Sequence, residues 1–136
     1  MVSISGLLRT GVRPTDLLEW SAQVEDEFDI RGERRAGSSV VSVFGEVDVA
    51  TATRFREFLE ATIENDFESV VVDLTGVTFI DSTGLGVLIG ARKRCDAKGR
   101  PLRIVVSEPR ILKVFEITGL TEVFEIQPTL ELAVRD

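Results

Sequence analysis

Val70-Val71-Val72-Asp73-Leu74 and, a few residues on, Phe79-Ile80-Asp81-Ser82-Thr83-Gly84-Leu85-Gly86 decide how this chain is read. The first run is apolar, β-branched and of strand length, so it reads as a strand buried on both faces. The second starts apolar and ends in Asp, Ser and Thr, which are all helix N-cap residues. One cap residue is enough for one helix. Three in a row, followed by two glycines, put two hydroxyls at a helix start among small neighbours. The expected path is a strand that ends, a short turn, and a helix opening at the Asp-Ser-Thr-Gly cluster. Free N–H groups and the helix dipole favour anions at such a start, so a hydroxyl there is placed to accept a phosphoryl group or meet a phosphate. Capping with close helix packing explains the same residues equally well.

Outward from this stretch, strands and helices alternate. Phe28 to Arg34 reads as a short, polar edge strand, and Gly32 through Ser38 as the turn after it. Val40 to Phe44 is a second strand, and Gly45-Glu46-Val47-Asp48 leads into a helix. That helix places Phe55, Phe58, Leu59, Thr62 and Ile63 on one face and breaks at Asn65-Asp66. The helix after Asp81 buries Leu85, Leu88, Ile89 and Cys95, carries Arg92, Lys93 and Arg94 toward its C-terminal end, and stops at Gly99. Leu102 to Val106 is a third buried strand. Pro109 opens a third helix through Ile111, Val114, Phe115 and Thr118 to Gly119. Val123 to Ile126 is a short last strand, and Thr129 to Val134 a terminal helical turn. Buried strands alternating with helices imply an α/β fold with a largely parallel sheet. The first pair, joined by a short turn, is antiparallel. Residues 1–27 differ in composition and read as an N-terminal extension with a short amphipathic turn over Thr15 to Trp20; residues 28–136 form the single folded domain.

Composition narrows the function. The chain has 136 residues, a formal net charge of −7, no histidine, no tyrosine and one cysteine, Cys95. Without histidine there is no Ser-His-Asp or Cys-His pair and no imidazole metal site. One cysteine allows no intrachain disulfide and no cysteine zinc cage; on a helix's inner face it reads as a small core residue. The acidic balance disfavours nucleic acid. No apolar run reaches transmembrane length and the first residues lack a signal-peptide pattern, so a cytoplasmic protein is expected. No cofactor and no metal are expected, and an enzyme is the least favoured class.

The residues Asp73-Leu74-Thr75-Gly76-Val77 and Phe79 to Gly86 resemble the signature of bacterial anti-sigma factor antagonists, members of the STAS domain family. The resemblance runs from about Phe28 to Val134 and takes in Gly45-Glu46-Val47-Asp48 and Ile117-Thr118-Gly119-Leu120. It implies a single STAS-like domain, a small mixed sheet with helices packed mainly on one face. It implies that Ser82 is phosphorylated by a cognate anti-sigma factor with serine kinase activity, that the unphosphorylated form binds this partner and releases the sigma factor, and that a phosphatase resets it. It places Asp48, Asp81, Thr83, Gly84, Leu85 and Gly86 on the docking surface, so Leu85 is claimed both by the core and by the partner. The extension at 1–27 exceeds the minimal family domain.

Other readings fit less well. A phosphoacceptor receiver would use Asp73 but needs an acidic pair after its first strand and a late-strand lysine, both missing here. Gly84-x-Gly86 with Gly90 has the wrong spacing for a dinucleotide loop, and no P-loop lysine follows. The cytosolic tail of an anion transporter is disfavoured by the lack of an apolar span. A scaffold or sensor subunit of a larger signalling assembly is the main alternative, and the oligomeric state stays open.

Overall fold

A computed structural model of the chain describes residues 28–65 and 69–134. The extension at 1–27, with its Thr15 to Trp20 turn, and Asp66 lie outside the described residues. Five strands form one sheet in sequence order. These are β1 (Phe28–Arg35), β2 (Ser38–Val47), β3 (Ser69–Ile80), β4 (Leu102–Val105) and β5 (Glu125–Gln127). β1 is antiparallel to β2, and the other neighbours run parallel. The helices are α1 (Ala52–Glu64), α2 (Ser82–Ala97), α3 (Pro109–Ile117) and α4 (Leu130–Val134), with a 3-10 turn at Leu120–Glu122. Each parallel neighbour is reached through a helical connection, as parallel pairing requires. The α/β class, the mixed sheet and the helices mainly on one face are as the sequence implies.

The larger core lies on the face covered by α1, α2 and α3. Val41, Val43 and Val47 of β2 meet Val70, Val72 and Leu74 of β3, together with Phe55, Leu59, Ile63, Leu88, Cys95, Ile111 and Phe115 from the helices. Phe58 and Thr62 sit half-buried at the edge of the α1 stripe, Val87 joins the buried set of α2, and Ile89 is only half-buried. Phe124 meets Phe115 edge to face, with ring centroids 6.1 Å apart. On the other face, Val40, Val71 and Val105 pack beneath Ala133, Leu130 and Val134 of α4. On this face the Ser38 and Ser69 hydroxyls bond each other at 2.6 Å, which satisfies both buried groups.

Four expectations need correction. Gly32 is inside β1, paired with Val41, and the turn is only Ala36-Gly37, with φ of 50° and 85°. Two positive φ values give the two-residue hairpin whose twist suits flanking strands. Gly45 to Val47 belongs to β2 rather than to the connection. β3 does not end at Leu74: it continues through Thr75 and Gly76 to Ile80. Pairing with β2 shifts between Ser42 and Phe44 and again between Gly45 and Glu46, leaving one extra β3 residue each time. These two bulges change the spacing of core residues from two (Val70, Val72, Leu74) to three (Leu74, Val77, Ile80). The last strand also falls later than the sequence suggests, at Glu125–Gln127.

Candidate functional site

The bulged half of β3 carries the site. β4 pairs with β3 only as far as Asp73, so residues 74–80 project beyond it beside β2. Val47 and Ile80 are register partners at the ends of their strands, and the Asp81 N–H donates to the Val47 carbonyl at 3.2 Å. That bond joins the start of α2 to the β2–α1 loop. Asp81 is the N-cap of α2, in extended conformation, and its Oδ1 accepts from the Thr83 N–H at 2.9 Å and the Gly84 N–H at 3.2 Å. Ser82 is the first helical residue and is exposed. The cap therefore occupies two of the first-turn N–H groups that the sequence offered to a phosphate. An anion on Ser82 keeps the favourable helix dipole but stands beside the Asp81 carboxylate.

Asp48 organises the neighbouring loop. Its Oδ1 accepts from the Ala50 N–H at 2.9 Å and the Thr51 N–H at 3.3 Å. The Thr51 hydroxyl donates to the Glu46 carbonyl at 2.9 Å and accepts from the Asp48 N–H at 3.0 Å. An Asx turn and a threonine latch thus fix the loop next to Ser82. Asp48, Asp81, Ser82 and Thr83 lie at one end of the sheet, where the Asp81 N–H bonds the Val47 carbonyl.

Two of the candidate docking residues point the other way. Leu85 is 5% exposed and belongs to the main core. Gly84 is buried, and a Cβ there would lie 2.6 Å from Val47 Cγ1 and 2.9 Å from Ile80 Cγ1. Its missing side chain lets α2 settle on the ends of β2 and β3. Gly86, two residues later, is exposed and would meet nothing within 4 Å. The α2 start thus divides into an inward face of Gly84, Leu85 and Leu88 and an outward face of Ser82 and Gly86.

The sequence reading missed two exposed apolar groups at this end, Val49 in the Asp48 loop and Phe79 before Asp81, 74% and 47% exposed. Phe79 reads as core when a strand is assumed to end in Phe-Ile; the three-residue spacing of Leu74, Val77 and Ile80 is the signal that sets it outside.

Cys95 is fully buried, and burial pushes its thiol from 9.0 up to about 11, with Asp96 adding to the rise and Arg100 opposing it. That is the setting of an inert core thiol. Arg94 of the basic group meets Glu60 of α1 at 3.2 Å, and Lys98 meets Glu64 at 3.7 Å, so this end of α2 is tied to α1. Among the described residues there is no cluster of three or more metal-ligating side chains, and no helix is long and apolar enough to cross a membrane.

A five-stranded mixed sheet with three helices on one face, and an exposed serine opening the second of them, defines a small α/β domain. The model of the STAS domain matches residues 28–133, and the chain belongs to that family. It is similar to the anti-sigma-B factor antagonist of Listeria monocytogenes, with 37% identity over 95 residues that cover 70% of this chain and 83% of that protein. It is also similar to the anti-sigma-B factor antagonist of Staphylococcus aureus, with 34% identity over 92 residues, 68% of this chain and 85% of that one. The crystal structure of an anti-sigma factor antagonist from Mycobacterium paratuberculosis matches with a TM-score of 0.75 and 31% identity, covering 83% of this chain and 98% of that one.

Proposed function

We propose that this chain is an anti-sigma factor antagonist that binds an anti-sigma factor with serine kinase activity and is switched off by phosphorylation of Ser82. Relatives at 34–37% identity bear the antagonist name. The observation that carries the reading is an exposed Ser82 on a platform whose neighbours, Asp81 and Asp48, are held by their own hydrogen bonds. In the transfer, the Ser82 oxygen bonds to the γ-phosphorus of ATP, the bond to the bridging oxygen breaks, ADP leaves, and the hydroxyl proton passes to a base of the kinase. A phosphatase reverses the modification by hydrolysis. The phosphate adds about −1.5 to −2 charges at neutral pH. They fall beside Asp81 on a chain already at −7. A partner packed against the outward face of α2 then has to desolvate or repel that charge, which is costly. The helix keeps its capping bonds, so the switch acts on the interface and leaves the fold in place.

The test is intact-mass spectrometry after incubation with the cognate kinase and ATP. Wild type gains one phosphate and Ser82→Ala gains none. Full phosphorylation of Ser82→Ala would move the acceptor elsewhere, with Thr83 the first residue to examine.

A further inference from the structure

β1 ends the sheet, and among the described residues no strand pairs with its outer edge. Such an edge offers a row of backbone N–H and C=O groups to another strand. Side chains alternate between the two faces along it. Phe28 and Ile30 belong to the helix-covered face, where they pack with the main core. Asp29, Arg31, Glu33 and Arg35 therefore stand on the other face, and their charges alternate in sign. Within the strand Arg31 meets Asp29 at 3.0 Å and Arg35 meets Glu33 at 3.9 Å. Exposed pairs of this kind hold their partners weakly. Gly32 lies at the middle of the row. On its helix-covered side stands the Phe58 ring, 3.3 Å from where a Cβ would sit, and both Phe58 and Ile30 are only half-buried.

We infer that β1 pairs with β1 of a second copy of this chain, antiparallel and about a two-fold axis at Gly32, joining two sheets into one. A two-fold contact must be complementary to itself. In this register Asp29 faces Arg35 of the second copy and Arg31 faces its Glu33, and the axis repeats both pairs. Every cross-strand pair on that face is then of opposite charge, which stabilises antiparallel neighbours. Moving the axis by one residue reverses this. An axis at Arg31 sets Arg31 on Arg31 and Asp29 on Glu33; an axis at Glu33 sets Glu33 on Glu33 and Arg31 on Arg35. Charge commonly keeps edge strands from pairing. A run of one sign would repel every copy, whereas this alternation repels a copy in the adjacent registers and attracts it in the one centred on Gly32. On the helix-covered side each Phe58 ring lies over its own Gly32, so the half-buried apolar surface at the edge falls within the contact. One strand a side makes a small interface, so the dimer should form and dissociate with concentration. β2 lies between β1 and the strand that leads to Ser82, so a dimer formed here carries two Ser82 sites.

Sedimentation equilibrium of the full chain tests this, over a concentration series reaching about 0.5 mM, as a small interface requires. Wild type should pass from monomer to dimer. Arg31→Glu sets carboxylates opposite Glu33 across the axis, and Glu33→Arg sets guanidinium groups opposite Arg31. Each variant alone should dimerise roughly tenfold more weakly, or worse. An equimolar mixture of the two should regain the wild-type association, because each chain then faces its opposite charge. Arg31 and Glu33 are 72% and 56% exposed, so the fold should be kept, and circular dichroism checks it. Hydrogen exchange on wild type needs no variant: the β1 amides should exchange more slowly as concentration rises. Wild type that stays monomeric throughout overturns the inference. So does a dimer that either folded variant leaves unchanged, a mixture that associates no better than its components, or dimerisation that leaves β1 exchange as it was.

Discussion

The inward and outward faces of the first turns of α2 differ more than their sequence suggests. Gly84 and Gly86 share one motif and lie two residues apart. At Gly84 the absent side chain makes room for Val47 and Ile80; at Gly86 it leaves open surface. Leu85 sits in the core while Ser82, on the same turn, is exposed. One short stretch thus supplies both packing and display. Substitutions on the inward face should cost folding, and those on the outward face should cost only binding.

The largest effect belongs to the inward face. Leu85→Ala removes a buried side chain and should lower stability by about 2–5 kcal/mol, measured by urea denaturation. Gly84→Ala drives a methyl against Val47 and Ile80, and overpacking of this kind costs about 1–3 kcal/mol. Its thermal midpoint should fall clearly below wild type. If Gly84→Ala is neutral, the helix has room to shift and the inward face is less tightly set than the distances indicate. On the outward face the sign reverses: Gly86→Ala adds a good helix former in open space and should stabilise by about 0.5–1 kcal/mol. In calorimetric titration it should nonetheless weaken partner binding. Equal effects at Gly84 and Gly86 would erase the distinction between the faces.

Cys95 gives a smaller effect on the inward side. Its folded pKa is raised from 9.0 to about 11, mainly by burial. The folded state holds the thiol proton more tightly than the unfolded state. The resulting stabilisation is complete below pH 9 and is lost as pH rises from 9 through 11. Denaturant midpoints should therefore fall across that window more steeply in wild type than in Cys95→Ala. Native protein at pH 8 should resist alkylation by iodoacetamide.

The strand–helix alternation and the cap at Asp81 were legible in the sequence, because each rests on local chemistry; placing Asp48 with Ser82 came only from the family resemblance. Apolar runs of strand length, helical spacing and N-cap residue types carry that information without tertiary context. The second half of β3 was not legible. Its two bulges set core residues three apart, at Leu74, Val77 and Ile80, which matches neither strand alternation nor a helix. Gly76 read as a turn residue, yet it lies in the strand beneath the Phe44 ring. The orientation of Gly84 and Leu85 depends on how α2 is tilted onto Val47 and Ile80, which residue type alone does not encode. The exposure of Phe79 follows from the same bulges.

The central claim is that phosphorylation of Ser82 acts on the outward face and leaves the fold alone. The most direct test uses one preparation before and after phosphorylation, confirmed by mass, with the thermal midpoint and the calorimetric affinity for the anti-sigma partner both recorded. The midpoint should move by no more than a change of about 0.5 kcal/mol produces, the range of ordinary surface substitutions. Over the same step affinity should fall by at least a hundredfold, about 2.7 kcal/mol. An affinity that survives phosphorylation, or one that falls only in step with a collapsing thermal transition, would contradict the claim.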